Sequence, residues 1–247
     1  MLLVAVMAVF CLTGCKNGLT HYVNPMVGTD FHGHTYPGAI MPFGQMQPSP
    51  DTRLSGWDGC SAYHYSDDTI YGFSHTHLSG TGCEDFGDVL LMPVMAEGGA
   101  WHFSKDMPQE EYLSRFGHRG EKSAPGYYRV VLDRNRVMVE LTTTERVACH
   151  RYTFPCRAKK GFVIDLRHRD KLLAAHFDKT SADGLITGFR ESNAWNPDQK
   201  CYFALRCNQP VKGIQYFDDG TKALVARRRL QGCGGLCGNI GRRCRGC

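Results

Sequence analysis

The sequence predicts an all-β chain folded as an antiparallel β-sandwich with few short helices. Three observations carry that reading. From residue 126 onward, short runs alternate apolar and polar residues. Turn signals interrupt them about every eight to twelve residues. Only 100–116 and 170–178 offer composition that could hold helical turns.

Taken in order, Gly126–Asp133 and Val137–Thr142 flank the polar Arg134-Asn135-Arg136 and read as a hairpin. Glu145–Phe154 alternates and stops at Pro155, whose missing N–H suits a strand end. Gly161–Leu166, Leu185–Phe189, Cys201–Arg206, Val211–Phe217 and Lys222–Ala226 follow at short intervals. The chain holds no internal repeat, P-loop or dinucleotide fingerprint, which argues against nucleotide chemistry.

The two ends differ from the middle. Residues 1–15 form an apolar run too short to span a bilayer and shaped like a secretory signal. Its ending, Leu12-Thr13-Gly14-Cys15, resembles a bacterial lipobox. Cys15 is therefore the expected lipidation site of an exported, membrane-anchored lipoprotein facing the periplasm or the cell surface.

Residues 227–247 contain six Arg, six Gly and four Cys, with no acid and no Lys. The whole chain carries +5 and this tail carries +6, so the remainder sums to −1. The basic balance thus reflects the tail and not the domain. An Arg/Gly-rich tail can suggest nucleic acid, and four Cys can suggest zinc. The Cys spacings, with three, six and two intervening residues, give no clean pair of ligand dipeptides. Arg, Gly and Cys together are what a GC-rich coding region yields out of frame, so the tail is expected to be frameshifted or disordered. No nucleic-acid partner is expected. Residues 20–226 remain as one domain, long enough for a sizeable core. Its six Cys are too sparse for a disulfide scaffold.

Chemistry concentrates in residues 27–92. His32, His34, Arg53, Trp57, Asp58, His64, His75, His77, Cys83, Glu84, Asp85 and Asp88 all fall in sequence punctuated by Gly, Pro and Ser. Loops on a rigid scaffold are where binding groups gather. Trp57 offers an apolar face for stacking. Arg53 and Asp58 offer charge-assisted hydrogen bonds to hydroxyls. His75 and His77 alternate, so in a strand they would share a side and could meet one ligand. The same His-x-His, with Cys83 and Asp85 behind it, admits a zinc reading or a purely structural one. Asp85 and Asp88 read as turn caps, and His168 as part of a local network. No pair among Asp58, Glu84, Asp85 and Asp88 stands out by spacing as an acid and base.

The blocks Val23-Asn24-Pro25-Met26-Val27-Gly28-Thr29, Gly33-His34-Thr35-Tyr36-Pro37-Gly38-Ala39, Gln47-Pro48-Ser49-Pro50-Asp51-Thr52-Arg53, Gly72-Phe73-Ser74-His75-Thr76-His77-Leu78-Ser79-Gly80-Thr81-Gly82 and Asp165-Leu166-Arg167-His168-Arg169 resemble the N-terminal domain of glycoside hydrolase family 92. The resemblance runs in order over residues 20–226. It implies a β-supersandwich that packs on a C-terminal (α/α)6 barrel in exported bacterial α-mannosidases acting on N-glycans and mannans. It also implies inversion at the anomeric carbon and dependence on Ca²⁺. The catalytic carboxylates and most calcium ligands would belong to the barrel. Inversion needs an acid and a base about 6.5–9.5 Å apart. No catalytic residue and no metal ligand is therefore expected here, and the chain alone is expected to be inactive. The expected substrate-binding residues are His34, Arg53, Trp57, Asp58, His75, His77, Cys83 and Asp85. A free-standing mannoside-binding lipoprotein is the alternative.

Overall fold

The computed structural model describes residues 18–155, 159–180, 184–209, 211–227 and 236–243. Strands, numbered along the chain, form two large antiparallel sheets and one small one. The six-stranded sheet runs β1 (Ser49–Asp51), β3 (Gly72–Ser74), β4 (Leu90–Met95), β10 (Lys160–Asp165), β15 (Lys222–Arg227) and β14 (Val211–Phe217). The eight-stranded sheet runs β11 (Lys171–Thr180), β12 (Leu185–Asn193), β13 (Gln199–Cys207), β16 (Leu236–Arg243), β9 (Val147–Thr153), β8 (Met138–Thr143), β7 (Tyr127–Val131) and β6 (Lys122–Ala124). β2 (Thr69–Ile70) and β5 (Ser114–Arg115) pair as a short ribbon.

The two large sheets share one core. Tyr152 on β9 meets Phe162 on β10 with ring centroids 6.5 Å apart, and Phe177 on β11 meets Tyr216 on β14 at 5.5 Å. Burial alternates strictly along β7, β12 and β13, so one face of the larger sheet enters the core and the other meets solvent. β4 and β10 are instead buried on nearly every residue. Their second face is covered by residues 101–112: Tyr112 donates to Asp165 Oδ2 at 2.6 Å, and Trp101 lies where a side chain on Gly161 would project.

The hairpin expected at 126–142 is β7 and β8, joined by a turn at Arg134–Arg136. The helical potential at 100–116 is used only for a single 3-10 turn, Gln109–Glu111. Residues 170–178 depart from their helical reading and form most of β11. Two register shifts, between Leu172 and Ala174 and between Phe177 and Lys179, break its alternation and hide the strand period. The tail is also not wholly without structure. Leu236–Arg243 is β16, which pairs with β13 on one side and β9 on the other. The signal-like segment with Cys15, and tail residues 228–235 and 244–247, lie outside the described residues.

Candidate functional site

β1 and β3 pair in register, Asp51 opposite Gly72 and Ser49 opposite Ser74. Because the pair is antiparallel, the two long loops that follow, residues 52–68 after β1 and 75–89 after β3, leave it from opposite ends. These loops, with segment 26–36, build a buried floor and an exposed rim.

The floor centres on Asp51, which has no exposure. Its Oδ1 accepts from Ser74 Oγ at 3.0 Å and faces His77 Nε2 at 2.8 Å. Its Oδ2 faces His168 Nε2 at 2.5 Å. His77 Nδ1 lies 2.8 Å from the Gln47 carbonyl, an acceptor only, so both ring nitrogens of His77 face oxygen acceptors. Burial would raise the Asp51 carboxyl, but His77 and His168 outweigh it and hold the group well below the usual carboxylate range.

A second buried cluster adjoins the first. Arg190, wholly inaccessible on β12, donates from Nη1 to Asp88 Oδ1 at 2.6 Å and from Nε to the Leu166 carbonyl at 2.8 Å. Thr76 Oγ1 and Gln199 Nε2 both donate to Asp88 Oδ2 at 2.8 Å. Asp85 is buried and accepts from the Phe86 and Asn196 amides.

The rim is different. Trp57 is 61% exposed and opens a 3-10 turn, Trp57–Gly59. Gly82, at φ +69, comes so close that a Cβ there would lie 2.4 Å from the indole, so the ring rests on bare backbone. The His34 ring stands edge-on to the indole at 4.8 Å. His34 Nε2 lies 3.4 Å from Asp58 Oδ1 and is buried without a hydrogen-bond partner. His32 Nδ1 reaches the same Asp58 oxygen at 2.7 Å, and this hydrogen bond is the main reason the Asp58 carboxyl is lowered. Glu84 accepts from the Gly56 amide, tying the two loops together. His64 anchors the segment behind His34 through the Phe31 carbonyl at 3.0 Å.

Of the residues singled out in the sequence, the structure brings His34, Trp57 and Asp58 together, with His32 and Glu84 beside them. Arg53 is tied to Asp67 at 2.5 Å, its stem lying against Gly59. Cys83 is a half-exposed free thiol on the turn next to Gly82. His75 and His77 do not meet one ligand. β3 ends at Ser74, and the two rings turn to different partners, His150 and Asp51. His168 joins no merely local network, since it bridges 117 residues to Asp51. Asp51 lies in the Gln47–Arg53 block without being singled out as a site residue, and His150 and Arg190 lie in none of the blocks; only three-dimensional closure assembles them. Among the described residues, no group of three or more His, Cys, Asp or Glu side chains is placed to hold a metal ion.

The sequence matches the glycosyl hydrolase family 92 N-terminal domain over residues 22–236. The chain belongs to glycoside hydrolase family 92. Its structure is similar to that of the family 92 α-mannosidase BT3965 from Bacteroides thetaiotaomicron, at 29% identity and a TM-score of 0.82. That match covers 93% of this chain and 34% of the other. The same mannosidase in complex with mannoimidazole matches at 30% identity and a TM-score of 0.80, covering 91% and 32%. The family 92 inverting mannosidase BT2199 from Bacteroides thetaiotaomicron VPI-5482 shares the fold at 24% identity and a TM-score of 0.75, covering 93% and 32%. An "Uncharacterized secreted glycosidase" of Arthroderma benhamiae is 31% identical over 144 residues, covering 57% of this chain and 18% of that protein. The family 92 chain described here therefore spans about a third of the matched structures' length.

Proposed function

We propose that this family 92 domain supplies one wall of the mannoside pocket of an exported, Ca²⁺-dependent inverting α-mannosidase. The observation that carries the reading is the rim. An exposed indole on a glycine platform stands beside a half-buried carboxylate and a buried imidazole nitrogen without a hydrogen-bond partner. Trp57 stacks on an apolar sugar face. Asp58 accepts from hydroxyls, and His34 Nε2 takes a hydroxyl as the partner it otherwise lacks. Arg53, His75, His77 and Asp85 hold the loops from behind, and Cys83 lies at the edge of the wall.

The general acid and base come from a part of the enzyme outside this chain. Asp85 and Asp88 are committed to backbone amides and to Arg190. Calcium would be held by the same part of the enzyme. Export is supported by the relative described as secreted and by the signal-like segment ending at Cys15. That segment gives the lipid anchor of a membrane-attached protein.

Calorimetric titration with methyl α-mannoside, with and without Ca²⁺, tests the binding half of this reading. Weak, saturable heat without hydrolysis is expected. Flat titrations at millimolar sugar, or mannoside turnover by the purified chain, would contradict it.

A further inference from the structure

His75 and His150 meet between the two sheets. His75 follows directly on β3 in the six-stranded sheet, and His150 sits in β9 of the eight-stranded sheet. Their Nε2 atoms are 2.9 Å apart, their rings are stacked at 4.8 Å, and both side chains are buried. Two imidazole nitrogens at that distance need one proton between them. The remaining partners say where it sits.

His75 Nδ1 lies 2.6 Å from the Val89 carbonyl, which can only accept, so Nδ1 carries hydrogen. In the neutral ring Nε2 is then a lone pair, and His150 Nε2 must donate to it. His150 Nδ1 in turn accepts from the Tyr152 hydroxyl at 2.8 Å. One chain of donors results: Tyr152 to His150, His150 to His75, His75 to the Val89 carbonyl. Every member is satisfied, and both rings are neutral.

A single added proton is accommodated at His150 Nδ1 if the Tyr152 hydroxyl turns to accept, or at His75 Nε2 if His150 moves its own hydrogen to Nδ1. A second sets two N–H groups head to head at the same short contact. The protein around the pair does little to shelter the charge. Asp51 and Asp88 face His75 favourably and His77 unfavourably, while His150 faces only His75. Burial dominates, pushing His75 down to about 4 and His150 well below its ordinary value.

We propose that the His75–His150 contact is an acid-sensitive latch between the two sheets. While neutral, it fastens residues 75–89, and with them the back of the rim. The backbone ties His75 only on its own side of the contact: its amide donates to the Asp88 carbonyl at 3.1 Å, and its carbonyl accepts from the Gln47 amide at 2.9 Å. Protonation of both rings removes the side-chain bridge and frees this segment from β9.

The sign follows from linkage. Unfolded His titrates near 6.5, and the folded pair titrates lower. The latch therefore contributes fully above pH 6.5, and its contribution is lost as pH falls toward 4. Nitrogen NMR of the full chain, with rings assigned through their backbone, tests this directly. Between pH 7 and 5 the folded protein is expected to show His75 bare at Nε2 and His150 bare at Nδ1. An imidazolium signal from either ring in that range, or the opposite tautomers, overturns the proposal. In parallel, urea midpoints from pH 7 to 4.5 are expected to fall less steeply in His150→Phe than in the wild type. Equal slopes count against the latch. Should the variant not fold, the tautomer measurement on the wild type still decides.

Discussion

The rim and the floor use the same residue types, and Asp51 of the floor and Asp58 of the rim stand close in sequence, yet the two regions differ in what water can reach. At the rim, Asp58 meets His32 in the open and Trp57 projects its ring. On the floor, Asp51 meets His77 and His168 in full burial, and Asp88 meets an Arg190 with no exposed side chain. An exposed ion pair contributes little because solvent screens it. A buried one is costly to break because the surviving charge is stranded. The rim is thus free to serve a ligand, while the floor is tied to the fold.

The contrast sharpens most at Arg190. Arg190→Met leaves Asp88 buried without its cation, and urea unfolding is expected to show a loss of about 3–5 kcal/mol. Asp51→Asn comes next, with a loss of roughly 1.5–3 kcal/mol, the range of hydrogen bonds to a charged group. That difference should depend on pH. Asp51 titrates lower in the folded state than the 3.8 of an ordinary Asp, so its contribution is complete above that value and disappears as pH falls below it. The gap between wild type and Asp51→Asn should therefore close on acidification toward pH 2.

Gly82→Ala falls between floor and rim. It places a Cβ against the indole at a positive φ, a strain of about 1–2 kcal/mol, and should shift Trp57 fluorescence. Asp58→Ala should change stability by no more than about 0.5 kcal/mol, the range of ordinary surface substitutions. A loss at Asp58 as large as that at Arg190 would erase the distinction.

Most of the β-architecture was legible because alternation survives wherever one face of a sheet meets solvent. The β7–β8 hairpin and β13 are the clearest cases. It failed where the period was interrupted: the two register shifts in β11 disguised a ten-residue strand. The strand-like run that follows Asp88 is β4, a strand buried on nearly every residue and so legible as a short apolar run without alternation. At the site, Trp57, Asp58 and His34 were recognisable as a group because they sit in turn-rich sequence. His75 and His77 were read as neighbours on one strand face, but the strand stops one residue too early. The Asp51–His168 and His75–His150 contacts span 117 and 75 residues, and no local signal announces such partners.

The most direct measurement pairs binding with stability in one variant. Trp57→Ala should unfold in urea at the wild-type midpoint while binding methyl α-mannoside about tenfold more weakly, equivalent to roughly 1.4 kcal/mol. Unchanged binding, or a collapse of stability matching that of Arg190→Met, would contradict the assignment of Trp57 to the sugar and of the floor to the fold.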